Sequence, residues 1–258
     1  MGVLNTKKLK IIAIIEVRMN SSRLPGKALI EVEGKPILEH VVNRIRLCEK
    51  IDEIVIATTV NSLDDPIDEL AKKLNIECFR GSEEDVLLRV INASEHRDAD
   101  LIVLSGGDSP FFDWEVANLL INKYFEDTSR DLVLNSLELT FPLGVYAHVV
   151  PLKILKKIES LANTASQRED TLRYIFENPD QFNIYNLAAP DHLRRPDLRL
   201  TIDYREDVIL MQKVYENVYA HKKDFTTQDV IKYLEINPGI ADLNKDCVQM
   251  AAPHTVRS

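Results

Sequence analysis

Ten residues, Arg18-Met19-Asn20-Ser21-Ser22-Arg23-Leu24-Pro25-Gly26-Lys27, bring together three cations, two serine hydroxyls and a Pro-Gly turn. They follow an apolar run, Ile11-Ile12-Ala13-Ile14-Ile15, and lead toward a helical pattern that begins near Pro36. A concave loop after a buried strand, with arginine and lysine aimed inward, suits a polyphosphate. The chemistry expected of it is that of a nucleotidyltransferase gripping a triphosphate. Solvated loop charges are the alternative for Arg18 and Arg23 taken alone; Lys27 and the turn behind a strand favour the phosphate.

The rest of the chain makes this loop stand out. It has 258 residues, 45% hydrophobic and 28% charged, with a net charge of −9. That is the balance of a soluble globular protein. An excess of acid argues against a nucleic-acid binder held by counterion release, so no nucleic-acid partner is expected. The three cysteines, Cys48, Cys78 and Cys247, form no CxxC pair and read as free thiols. No signal peptide is visible, and no run approaches the ~20 apolar residues of a membrane span. A cytoplasmic protein without membrane contact is expected.

The elements that must position the loop follow from hydrophobic periodicity. Ile11 to Val17 reads as a first strand. Pro36 then opens a helix whose apolar face is Ile37, Leu38, Val41, Val42 and Ile45. Strands are predicted at Glu53 to Thr58, Ile76 to Phe79, Leu101 to Leu104 and Leu132 to Asn135. Helices are predicted from Asp64-Asp65-Pro66 to Leu74, from Glu83 to Glu95 and from Trp114 to Tyr124. Such alternation predicts a mostly parallel sheet between two helical layers, α/β/α. Ligands then bind beyond the carboxyl ends of the strands. The cation loop and the turn Ser105-Gly106-Gly107-Asp108-Ser109-Pro110 both lie at such ends, so they can face one crevice.

The second half is less regular. Glu138 to Val150 reads as one or two strands interrupted at Pro142-Leu143-Gly144. Helices are expected at Pro151 to Leu161, Arg168 to Glu177, Asp203 to Ala220, and from Thr227 to just before Pro238. Phe182 to Leu187 and Leu198 to Ile202 read as strands. Residues 1–241 are expected to form one domain, with a nucleotide half at about 10–135 and an acceptor and dimer half at about 136–241. A loose tail is expected at 242–258.

Common phosphate motifs fail. Walker A would need glycine where Ser21 stands and a hydroxyl where Ala28 stands. The eight glycines nowhere fall as GxGxxG, and there is no HExxH or GxSxG. The six histidines show no metal-ligand spacing.

Ser21-Ser22-Arg23-Leu24-Pro25-Gly26-Lys27 resembles, residue for residue, the signature of cytidylyltransferases that activate acidic sugars, the acylneuraminate and 3-deoxy-manno-octulosonate enzymes. The chain is also similar to the spore-coat polysaccharide cytidylyltransferases. Asp52 to Thr58, Phe79 to Leu87, Gly107-Asp108-Ser109-Pro110 and Arg195-Pro196-Asp197-Leu198-Arg199-Leu200-Thr201-Ile202-Asp203 resemble that family in the same order. The resemblance spans roughly residues 10–220. It implies the GT-A-like, Rossmann-like nucleotide-diphospho-sugar transferase fold and a homodimer. It also implies CMP transfer from CTP, with Mg²⁺, to a small-molecule sugar acid or related phosphorylated acceptor. By position, Arg18, Ser22, Arg23 and Lys27 would hold the triphosphate. Thr58, Asn61, Arg80 and Gly81 fall where the family contacts base and ribose, and Asp108 and Asp203 where it carries magnesium. Arg18, Lys27, Asp108 and Asp203 would carry catalysis. Either aspartate could instead cap the following helix. Arg89 could be a ligand or an i,i+4 partner of Asp85.

Departures cluster where the acceptor would lie. The family's acidic Pro-Asp-Gly-x-Asp-x-Glu pattern is here Pro142-Leu143-Gly144-Val145-Tyr146-Ala147-His148, and its Arg-Glu-His is Arg168-Glu169-Asp170. Glu16-Val17 replaces a Gln-Ala pair, and Asn20 stands where glycine is common. Tyr146, His148 and Arg168 are therefore the candidate acceptor contacts. An unusual acceptor accounts for these changes; a non-catalytic, nucleotide-binding sensor or partner subunit is the competing expectation.

Overall fold

The structure, a computed structural model, describes residues 8–249. Its strands are β1 (Ile11–Glu16), β2 (Glu31–Val32), β3 (Lys35–Pro36), β4 (Glu53–Thr59), β5 (Glu77–Gly81), β6 (Leu101–Gly106), β7 (Leu132–Leu134), β8 (His148–Pro151) and β9 (Ile184–Asn186). The longer helices are α1 (Ile37–Ile45), α2 (Asp65–Leu74), α3 (Val86–His96), α4 (Trp114–Glu126) and α5 (Leu152–Leu161). After them come α6 (Ala165–Arg168), α7 (Arg173–Glu177), α8 (Arg205–Val214), α9 (Thr227–Ile236) and α10 (Pro238–Ala241).

Seven strands form one mixed sheet in the order β5-β4-β1-β6-β8-β7-β9, and β2-β3 is a separate small hairpin. The β5-β4-β1-β6 block is parallel, while β8 runs antiparallel to both β6 and β7. Side chains of β1 alternate between two cores. Ile11, Ala13 and Ile15 join α1, α4 and α8 on one face. Ile12 and Ile14 join α3 and α5 on the other. A sheet buried on both faces needs near-continuous apolar strands, which is why β1 and β6 read as unbroken hydrophobic runs. This is the expected three-layer α/β/α arrangement. The chain leaves β1 toward β4 and β5 on one side, then returns to β6 on the other, so the strand order switches beside β1. A crevice opens at such a switch.

Where sequence and structure differ, side chains explain it. Leu198 to Ile202 is not a strand; it meets Leu143 in a single bridge, with Leu143 N donating to Leu198 O at 2.9 Å. Its apolar side chains are buried by packing, while Arg199 turns away to carboxylates. Of Glu138 to Val150 only the end joins a strand, β8. The helix expected over Arg168 to Glu177 splits into α6 and α7, because Asp170 accepts from Leu172 N at 3.0 Å in a turn. After α8 the chain passes into a π-helical turn, Tyr215–Tyr219. Of the tail expected to be loose, Asp242 to Gln249 is anchored: buried Asn244 donates to Arg199 O and Asp207 Oδ1, and Gln249 accepts from Arg199 Nη1. Residues 250–258 lie outside the described residues. Among the described residues no helix is long and apolar enough to cross a membrane.

Gly144 holds the 142–145 loop against 198–201. Its φ is +98°, and a Cβ there would lie 2.5 Å from Thr201 N. Gly144→Ala is therefore expected to lower the unfolding free energy by about 3 kcal/mol, measured by urea denaturation against the unsubstituted chain.

Candidate active site

The cation loop is shaped by its own backbone and by one acid. Met19 O accepts from both Ser21 N and Gly26 N at 2.9 Å, folding the loop around that carbonyl. Met19 N in turn donates to Asp64 Oδ1 at 2.7 Å. The other Asp64 oxygen takes the Thr58 and Thr59 hydroxyls and Thr59 N. Burial would raise the Asp64 pKa, but these four donated bonds outweigh it and hold the carboxyl below its usual value. Asp64, which the sequence suggested as a helix-opening acid, thus ties the loop to the end of β4.

The loop delivers Lys27 to the aspartates. Lys27 Nζ donates to Asp108 Oδ2 at 2.6 Å, Asp203 Oδ1 at 2.9 Å and Ile202 O at 2.7 Å. An ammonium has three donors, and all are used. Arg23 Nη2 also reaches Asp203 Oδ1 at 2.6 Å, and buried Arg199 joins Asp203 Oδ2 to Asp207. Neither Asp108 nor Asp203 is a helix cap. Asp113 caps α4, accepting from Glu115 N and Val116 N, and Asp207 takes the Asp203 and Tyr204 amides at the start of α8. Both carboxylates are left for cations. The Asp108 turn lies tight on β1: Gly107 N donates to Glu16 O at 2.9 Å, and a Cβ on Gly107 would lie 2.6 Å from Val17. Only glycine allows that approach.

Above this cluster, at the carboxyl ends of β1 and β6, lies a cavity of about 520 Å³. Arg18, Ser22, Arg23, Lys27 and Asp108 line it, and Asp203 stands directly behind Lys27. Arg18 also pairs with Glu83 at 3.7 Å. From α3, Arg89 lines it, donates through Nη1 to Ser82 O, and keeps its buried Nε without a partner. Asp85 is not its partner, since it caps α3 and binds Arg168. Tyr146 and His148 also line it, with rings stacked 5.7 Å apart, and His148 Nε2 meets Ser136 Oγ at 2.9 Å. Burial pushes the Tyr146 phenol well up from its ordinary value.

Four positions expected to contact the nucleoside do not line the cavity. Thr58 is fully buried with its hydroxyl on Asp64. Asn61 caps the turn at Ser62 and donates to Glu83. Arg80 is held by Asp65, Thr59 O and Asn61 O. Gly81 packs against Arg89 and Phe79. Arg168 also stays outside, fastened between Asp85 at 2.6 Å and Glu159 at 3.1 Å.

The family profile described as cytidylyltransferase matches residues 12–235. The chain belongs to the cytidylyltransferase family. It is 34% identical over 246 residues to an uncharacterized protein of Methanocaldococcus jannaschii, covering 93% of this chain and 97% of that one. It is 32% identical over 237 residues to the spore coat polysaccharide biosynthesis protein SpsF of Bacillus subtilis, covering 90% and 96%. The solved structure of a cytidylyltransferase from Leptospira borgpetersenii superposes with a TM-score of 0.87 at 26% identity, covering 95% of this chain and all of that one.

Within this cytidylyltransferase, two departures noted in the sequence meet in the cavity. Glu16, at the end of β1, accepts from the Thr171 hydroxyl, and Asp170 lines the same wall. Glu16 was legible only as a substitution for glutamine; that it faces a cavity depends on its place at the end of β1. Arg199 was legible only as part of a motif, although a cation inside the run Leu198 to Ile202 does call for a buried carboxylate. Burial, with Asp170 and Asp108 nearby, raises the Glu16 pKa to about 7, against the Thr171 bond and Arg89. A raised carboxyl pKa favours the folded state when protonated, and that advantage is lost as pH rises through about 7. Glu16→Gln should therefore gain stability relative to the unsubstituted chain as pH climbs from about 4.5 to 7 and hold it above. The gain is roughly 2 kcal/mol, reduced because the cavity admits water. Thermal melts of both proteins across that range measure it.

Proposed function

We propose that this protein transfers CMP from CTP to a polar sugar acceptor, a sugar acid or a phosphorylated sugar, releasing pyrophosphate in surface polysaccharide biosynthesis. The observation that carries the reading is Lys27 bridging Asp108 and Asp203 at the floor of a cavity that the cation loop also lines. The acceptor oxygen forms a bond to the α-phosphorus while the bond to the bridging oxygen breaks, and pyrophosphate leaves in line. Arg18, Ser22, Arg23 and Lys27 would hold the triphosphate and offset charge on the departing group. Where a sugar hydroxyl attacks, Glu16, titrating near neutrality on the cavity wall, suits uptake of its proton. A phosphate oxygen attacks as an anion and needs no base.

Magnesium dependence belongs to the same reading. Asp108 and Asp203 would hold the ion, since both carboxylates already face one cation, the Lys27 ammonium. They would provide two carboxylates, and magnesium commonly completes its ligands with phosphate oxygens and water. When bound, magnesium would supply charge neutralisation at the phosphates. A homodimer, implied by the family resemblance, completes the reading, and light scattering would measure it.

Pyrophosphate release from CTP and Mg²⁺, assayed over a panel of sugar acids and phosphorylated sugars, tests the activity. Lys27→Ala and Asp108→Ala should each lower turnover at least ~100-fold with the fold intact by circular dichroism; unchanged rates in both overturn the assignment. At 100 times its Kd, CTP should raise the melting midpoint by roughly 5–10 °C, more than ATP, GTP or UTP at equal concentration.

A further inference from the structure

The triphosphate cations and the metal carboxylates of the proposed site neutralise one another. Lys27, Arg23 and Arg199 supply three positive charges, and Asp108, Asp203 and Asp207 three negative ones, all joined by contacts of 2.6–2.9 Å. Asp203 alone takes three cations: Arg23 and Lys27 on Oδ1, and Arg199 on Oδ2. Lys27 reaches Asp108 as well and keeps no free donor.

We propose that Lys27 is an internal plug of the cation position, so that the site admits a divalent metal only together with the nucleotide. A metal arriving alone would have to displace an ammonium already paired with both carboxylates and would gain little net attraction from a neutral cluster. A triphosphate arriving alone would have to draw Lys27 and Arg23 off Asp203, leaving carboxylates uncompensated beside its own negative charge. Nucleotide and metal together satisfy both halves: the phosphates take the cations, and the metal takes the vacated oxygens. Each ligand therefore tightens the other, and by thermodynamic linkage the factor is the same in both directions. Asp207 and Arg199 stay paired beneath, with Asp207 held by Asn244 and by the Asp203 and Tyr204 amides, so Asp203 is steadied during the exchange. The device rests on the nucleotidyltransferase reading of this cavity and adds to it a mutual dependence of metal and nucleotide.

The test uses Mn²⁺, which favours the same carboxylate and water ligands as Mg²⁺, followed by electron paramagnetic resonance on the full chain without nucleotide. The unsubstituted protein should bind Mn²⁺ at least tenfold more weakly than Lys27→Met or the double variant Lys27→Met/Arg23→Met. Adding Asp108→Asn to the tighter of these should abolish the gain. Circular dichroism and melting confirm that each variant is folded. If neither variant gains Mn²⁺ affinity, or the gain survives Asp108→Asn, the plug is overturned. A parallel calorimetric titration of the unsubstituted protein with CTP and Mg²⁺ separates the two levels. No CTP binding overturns the nucleotide reading and the plug with it; CTP binding without the Mn²⁺ gain overturns the plug alone.

Discussion

Three carboxylates and three cations meet beneath the cavity, and most of the surrounding structure exists to hold them there. Asp203 and Asp207 are almost wholly buried, and so is Arg199, so each must be paired or the fold would carry an uncompensated charge. Pairing draws together positions remote in sequence: Lys27 is 176 residues from Asp203, and Arg23 is 180. The loop after β1, the turn after β6, the segment before α8 and the chain beyond α10 all end on this cluster. Each is an irregular segment made definite by a charge.

The backbone around the cluster is arranged so that those charges stay available. Caps that Asp108 and Asp203 could have provided come instead from Asp113 and Asp207. Asp64 performs the same service for the cation loop, accepting one hydrogen bond from Met19 N and three from Thr58 and Thr59, and so ties the loop to β4 without taking any of its cations. Gly107 lets the Asp108 turn rest against β1, at the place where the strand order switches. Cations and acids can then share one small volume without collapsing the cavity above them.

Two sets of side chains line the cavity. One is the loop of Arg18, Ser22, Arg23 and Lys27, with the residues of the family signature. The other is Glu16, Asp170, Tyr146 and His148, at positions noted as departures in the sequence. These departures come from β1, the α6–α7 connection and the approach to β8. They are distant in sequence but line the same cavity.

What the sequence determined by itself is whatever a window of ten or so residues encodes. Helical and strand periodicity, the apolar β1 and β6, the Pro-Gly turn and the cation loop were legible because backbone preference and burial act locally. The family motifs were legible for the same reason, as short uninterrupted strings. Tertiary structure alone decided which side chains face which. Thr58 turned inward because Asp64 needed its hydroxyl, Arg168 turned outward to Asp85 and Glu159, and Leu198 to Ile202 stayed unpaired as a strand while Arg199 sought its acids. The antiparallel β8 and the seven-strand order belong to this second class, since neighbours in a sheet are set by long-range packing. So does the meeting of Lys27 with Asp108 and Asp203, because Coulomb attraction acts through space and the fold sets that distance.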